Sequence, residues 1–226
     1  MHRLAYLFAW LGLTLVAANA YAVEKDPVDR LNAATDILER TLTLPEQQIP
    51  PALLHNAQGL AVIPGVIKAG FVVGGSYGRG VLTVRDPDGH WSQPIFLKLM
   101  AGSVGWQIGA QSTDVVLVFK TKRSVEGLLH GKFTLGADAA VAAGPIGRRG
   151  EAATDAQLKA EIVSYSRSRG LFAGVSLEGA QLDVDHEADA SFYGKKVTAR
   201  EILEGKVAGH AASAHFMEAV HKAIGQ

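Results

Sequence analysis

The sequence contains no cysteine. Disulfide stapling is therefore excluded, and so is the lipid-modified cysteine that anchors bacterial-type lipoproteins. An excess of one charge is missing as well: 22 Lys+Arg stand against 22 Asp+Glu. Nucleic-acid-binding domains are usually plainly basic, so overall charge argues against nucleic acid as a partner, and any electrostatic site must come from local clustering. Neither G-x-x-x-x-G-K-[ST] nor G-x-G-x-x-G ahead of a helix occurs, which speaks against nucleotide binding. There is no short-period repeat, no low-complexity linker and no second composition regime. One domain is the expectation, long enough to bury a substantial core without covalent help.

The N-terminus has three parts. Met1-His2-Arg3 is weakly basic, Leu4 to Ala18 is almost wholly apolar, and Ala18-Asn19-Ala20 and Ala20-Tyr21-Ala22 each offer a small-x-small cleavage site. That is the layout of a secretory signal peptide over residues 1–22. Its apolar core of about 15 residues falls short of the ~20 that span a bilayer, which disfavours an uncleaved anchor. The expectation is an exported chain, Val23 to Gln226, periplasmic or extracellular, cleaved after Ala22 or Ala20. Removing the segment takes away Arg3 and leaves a net charge of about −1.

The chain is organised around Gly59 to Leu82, GLAVIPGVIKAGFVVGGSYGRGVL, which holds seven glycines, no carboxylate and two charges, Lys68 and Arg79. Its short apolar runs read as buried strands joined by tight turns. Before it, Asp26 to Leu44 has the spacing of an amphipathic helix with Asp26 as N-cap, and Pro50-Pro51 opens a short second helix. After it the texture is strand and turn. Val81 to Arg85 runs into Asp86-Pro87-Asp88-Gly89, a strong turn signal. Trp91 to Met100, Val104 to Ala110 and Asp114 to Phe119 follow as strands, and Ser124 to His130 as a short helix ending at Gly131. Phe133 to Ala143 reads as one strand in a crowded interior. In Lys159 to Gly170 the period is two, so Glu161, Val163, Tyr165, Arg167 and Arg169 share a face. The C-terminus is helical, opening on the capping box Thr198-Ala199-Arg200-Glu201 and continuing from Ala211 to Ile224.

Several patterns suggest chemistry. Gly74-Gly75-Ser76-Tyr77-Gly78 matches G-x-S-x-G, but a nucleophile elbow needs a strand, a strained turn and a helix, and strand follows here. His210, His215 and His221 are five and six apart, which does not stack ligands on one helix face. His186, amid Asp183, Asp185, Glu187 and Asp189, reads as part of a solvated acidic turn rather than a cation site. There remains a cationic set, Lys68, Arg79, Arg167 and Arg169, with Arg148-Arg149 further off. Guanidinium groups suit phosphate, and glycine-rich backbone offers N–H donors beside them; the competing reading is ordinary strand charge facing water. Phe71, Tyr77, Phe172, Trp91 and Trp106 are candidate interfacial anchors, although most aromatics in such strands are core.

GLAVIPGVIKAGFVVGGSYGRGVL, then WSQPIFLKL, G-x-QIGAQSTDVVLVF, GADAAVAAGPIGR, SYSRSRGLFAGVSLEGA and FYG at 192–194 together resemble the SYLF lipid-binding domain family, also called the Las17-binding or actin-regulator family. The match runs from about Leu31 to Leu203. The resemblance implies an α+β fold, a single compact, barrel-like, mainly antiparallel β domain with N- and C-terminal helices packed around it. It implies phospholipid binding, no catalytic role and no cofactor. Carried over to this chain, it places Lys68 and Arg79 near a headgroup, then Arg167 and Arg169; of the candidate interfacial anchors, Phe71, Tyr77 and Phe172 are the expected apolar contacts. An export signal without an SH3 module makes actin an improbable partner, and leaves anionic phospholipid at a membrane surface as the expected one. Asp189 stands where relatives are expected to carry Asn. The rival readings are a protein-binding or envelope-structural module using the same surface, its partner unknown, and, further off, a hydrolase centred on Ser76.

Overall fold

A computed structural model describes residues 26–43, 49–70, 73–104, 109–144, 159–168, 171–174 and 177–225. Two helices come first, α1 (Pro27–Thr43) and α2 (Pro51–His55). Four long strands follow: β1 (Gly59–Gly70), β2 (Val73–Val84), β3 (Ile95–Val104) and β4 (Gly109–Phe119). Then come α3 (Lys122–Leu129), the short strands β5 (Phe133–Thr134) and β6 (Val141–Ala143), β7 (Ile162–Ser168), β8 (Leu171–Gly174) and β9 (Gln181–Val184). The chain ends in α4 (His186–Tyr193), α5 (Ala199–Leu203) and α6 (Ala211–Ile224). The strands form one nine-stranded sheet in the order β5-β9-β3-β2-β1-β4-β7-β6, with β8 paired to β7. Every pairing is antiparallel except that of β6 with β7. The sheet curls into a half-barrel with helices around it, which makes this an α+β fold.

Both faces of the sheet are covered, which explains why β1 and β4 read as nearly continuous apolar runs rather than as alternating ones. On one face Leu60, Val62, Val81, Phe96, Val116 and Val118 pack with Leu31 and Leu38 of α1 and Phe216 and Val220 of α6. On the other Ala61, Ile63, Leu82, Leu97, Leu117 and Phe119 pack with Val125 and Leu128 of α3 and Ile202 of α5.

The glycines of the central stretch do not cut it into short strands as their number suggests; they permit two strands of 12 residues. Gly80 shows why. A Cβ there would lie 2.3 Å from the Val62 carbonyl oxygen, so only glycine lets β2 approach β1 so closely. Pro64-Gly65 does not end β1 either: it forms a bulge, with register shifting between Val62 and Ile67 against β2. Gly65 sits at φ +58° and its N–H donates to Asp114 Oδ1 at 3.0 Å. Replacing Gly65 with alanine is expected to cost about 1–2 kcal/mol through backbone strain alone, read as a lowered midpoint in urea with an unchanged slope.

Elsewhere the expected elements are present with adjusted bounds. The strand expected over Phe133 to Ala143 is two short strands separated by a turn in which Gly136 takes φ +89°. Strand β3 continues through Gly102 to Val104, and the expected strand over Asp114–Phe119 begins earlier, at Gly109. The acidic turn expected around His186 is instead the start of α4: Asp185 is its N-cap and accepts from the Ala188 amide. Asp185 and Asp189 are buried, not solvated, because cations and an amide of neighbouring elements face them.

Candidate functional site

Cross-strand register turns the helix-covered face into a series of rows, since directly opposed residues share a face. The innermost relevant row is Phe96–Val81–Val62–Val116–Tyr165, and all five are buried. Two residues further along each strand, about 7 Å, the row is charged: Asp183–Lys98–Arg79 on one side of the β1 bulge and Asp114–Arg167 on the other. The next row is Met100–Tyr77–Ile67–Ser112. Here the helices no longer cover the sheet: Ile67 is 54%, Tyr77 42% and Met100 40% exposed. These are the exposed large apolar side chains among the described residues, and they are direct neighbours on β1, β2 and β3.

The charged row is held in place from both sides. Lys98 Nζ lies 3.0 Å from Asp185 Oδ1, and Arg167 lies 3.6 Å from Asp114 Oδ2. Asp114 also accepts from Gly65, so one carboxylate fixes both the bulge and the guanidinium of Arg167. Arg79 lies over the Tyr77 ring, 5.8 Å from its centroid, and its Nε donates to the Tyr77 hydroxyl. The row counts three cations against two carboxylates, so its own net charge is near +1.

Beneath it lies a buried charged cluster. Arg30 in the first turn of α1 is 3% exposed, donates to Asp185 Oδ2 at 3.2 Å and lies over the Phe96 ring. Burial pulls its guanidinium down from the usual range, against the pull of Asp185. Burial also opposes charge on Asp185, but Lys98, the Ala188 amide and Arg30 outweigh it and hold this carboxyl below the usual carboxylate range. Asp189 is different. It is fully buried, its Oδ1 accepts from the Phe96 amide at 2.9 Å, and its Oδ2 has no hydrogen-bond partner among the described residues. Burial, reinforced by the charge of Asp185, pushes it up to about 7.

The residues named from the sequence separate as follows. Arg79 and Arg167 lie in one row, and Tyr77 lies in the next. Lys68 is exposed, but it pairs with Ser76 and Gln111 and so faces the opposite side of the sheet from Tyr77 and Arg79. Phe172 stands opposite Arg167 in register, and its side chain lies outside what is described. Phe71, Trp106, Arg148, Arg149, Arg169 and segment 1–22 also lie outside the described residues. Trp91 is core, with the Arg85 guanidinium over its ring. Ser76 lies inside β2, paired with Lys68 and Ala101, so the strand-turn-helix that a nucleophile elbow requires is not formed around it. Among the described residues no group of three His, Asp or Glu could hold a metal ion, and no helix is long and apolar enough to cross a membrane.

Sequence reasoning missed Ile67, Met100, Lys98, Asp114 and Arg30. A signal for Lys98 and Met100 was present, since Phe96, Lys98 and Met100 share one face at a period of two. Ile67 was hidden by the bulge, which resets which residues face which way.

A family model described as "Ysc84: Las17-binding protein actin regulator" matches residues 100–223. LAS seventeen-binding protein 3 of Saccharomyces cerevisiae is 41% identical over 165 residues, 72% of this chain and 36% of that protein. This chain belongs to the Ysc84 family. An SH3 domain-containing protein of Schizosaccharomyces pombe is 42% identical over 183 residues, 79% of this Ysc84-family chain and 42% of the relative. In Xenopus laevis, SH3 domain-containing YSC84-like protein 1 is 40% identical over 165 residues, 72% of this chain and 49% of the relative. The Ysc84-family chain thus spans less than half the length of each of these relatives.

Proposed function

We propose that this chain is an exported, non-catalytic domain that binds phospholipid at a membrane surface. The observation that carries the reading is the exposed row Met100–Tyr77–Ile67, backed by Lys98, Arg79 and Arg167 one row in. Apolar side chains at the end of a sheet with cations set behind them meet acyl chains and headgroup phosphates together. Magnitudes decide which part matters more. Withdrawing three half-exposed side chains from water contributes on the order of 1 kcal/mol each. A cation near an anionic leaflet contributes about 1 kcal/mol, but Lys98 and Arg167 already face carboxylates. The apolar row therefore supplies most of the affinity, and the cations behind it the charge dependence.

Flotation with phosphatidylglycerol–phosphatidylcholine vesicles tests this. The expected result is binding that weakens as salt shortens the screening length to ~3 Å near 1 M, yet persists in part. Tyr77→Asp combined with Ile67→Asp is expected to reduce binding at least tenfold. Arg79→Glu is expected to weaken binding and reduce its salt dependence, and Lys68→Glu, on the other face, to change binding less. No binding to any vesicle at low salt overturns the reading.

A protein partner at the same surface is the second reading, favoured by the yeast relative's name as a LAS seventeen-binding protein. Strong retention on that partner, lost with Tyr77→Asp, together with no vesicle binding, is its expected signature.

A further inference from the structure

The far end of the β2–β3 hairpin carries a second surface. Tyr77 and Arg85 are eight residues apart on β2 and its extension, which places them ~26 Å apart along the sheet. There the Asp86–Gly89 turn, the last turn of α3 and the segment from α5 to Val207 enclose an open groove of about 1040 Å³. Leu129 and Leu203, both partly exposed, give it an apolar wall with buried Trp91, Ile202 and Val207 behind, and the acidic residues Asp86, Asp88, Glu126 and Glu204 stand around it with Arg200. Asp86 is turned to His90 at 3.5 Å and Glu204 to Lys206 at 2.6 Å, but Asp88 and Glu126 have no ion-pair partner among the described residues. A recess of about 110 Å³ opens beside the groove and shares Glu126, Leu129 and Leu203 with it; Val84 and Val125 line it further in. Of the two cations on the recess, Arg85 is spent on the Trp91 ring and the His55 carbonyl, and Lys122 stands exposed at its rim, one helical turn before Glu126.

We propose that this groove docks a short polypeptide segment of a partner protein, one that carries an aliphatic side chain between two basic ones. The aliphatic side chain fills the recess, and the flanking ammonium or guanidinium groups meet Asp88 and Glu126. A polyamine has no group for the recess, and a metal ion finds no ligand set among the described residues. The groove lies at the opposite end of the hairpin from Met100, Tyr77 and Ile67, so the proposal stands independently of the membrane reading.

The test uses the whole chain in solution without vesicles and a fluorescein-labelled ten-residue peptide with Lys-Ser-Leu-Ser-Lys at its centre, followed by fluorescence anisotropy. Saturable binding is expected, weakened at least fivefold when the peptide leucine is replaced by serine. Glu126→Lys combined with Asp88→Lys should weaken it at least tenfold. Asp29→Lys combined with Asp36→Lys, exposed on α1, makes the same change in net charge and should leave it within twofold. Circular dichroism shows whether each variant is folded, and Leu203→Ser provides a second, uncharged probe of the recess, expected to weaken binding at least threefold. Absence of saturable binding overturns the proposal. So does an equal loss from both charge pairs, or spermine binding as tightly as the peptide.

Discussion

Replacing Asp185 with alanine is expected to cost about 3–5 kcal/mol, a large share of what holds a domain of this kind together. The reason is what is left behind. Arg30 is 3% exposed, and its guanidinium would stay buried against Phe96 with the Asp185 carboxylate gone. Lys98 is less affected, because a quarter of its side chain already reaches water. The N-cap of α4 would be lost too, a further ~1 kcal/mol. Thermal unfolding should show a fall of roughly 10 °C in Tm. Asp185→Asn separates the contributions: asparagine keeps the cap but not the charge, so a cost close to that of alanine assigns the effect to Arg30. Because the folded carboxyl is held below its ordinary value, this stabilisation is present above the usual carboxylate range and lost as pH falls through the folded value.

Asp189→Asn should show the opposite dependence on pH. The Asp189 carboxyl is pushed up from 3.8 to about 7, so the folded state holds a proton there that the unfolded chain releases near pH 4. Its stabilising contribution is fully present below the unfolded value and is lost as pH rises to about 7. At ~1.4 kcal/mol per pH unit the loss amounts to as much as ~4 kcal/mol. Asparagine has no such proton to lose, while its carbonyl can still accept from the Phe96 amide. The variant should therefore gain on the wild type steadily between pH 4 and pH 7, in denaturant melts run at each pH. A difference that does not vary with pH would show that Asp189 is ionised throughout.

The elements were legible where periodicity and end signals agree. The capping box at Thr198 and Glu201 is present as read, and helices α1 and α6 fall within a residue or two of their expected bounds. The alternation in β7 is correct: Val163 and Tyr165 face α1 and α6 while Ile162 faces α3. Glycine misled the reading of β1 and β2, because it marks turns and close strand contact equally, and only the partner strand tells which. The candidate site was half legible. Tyr77, Arg79 and Arg167 were picked out from local chemistry and do share a face, whereas Lys68 does not, since the bulge at Pro64-Gly65 shifts the phase of everything after it in β1. The buried cluster was not legible at all. Arg30, Lys98 and Asp185 come from α1, β3 and the start of α4, and only the tertiary fold brings them within 3.2 Å.

The absence of cysteine makes the central claim directly measurable, because one introduced thiol is the sole site of labelling. Single variants Ile67→Cys, Met100→Cys and Asp36→Cys, each carrying an environment-sensitive nitrobenzoxadiazole dye, would be mixed with phosphatidylglycerol vesicles. The account predicts brighter, blue-shifted emission at positions 67 and 100 and no change at position 36, on the exposed face of α1. Emission unchanged at 67 and 100 on vesicles that the protein demonstrably binds would contradict it.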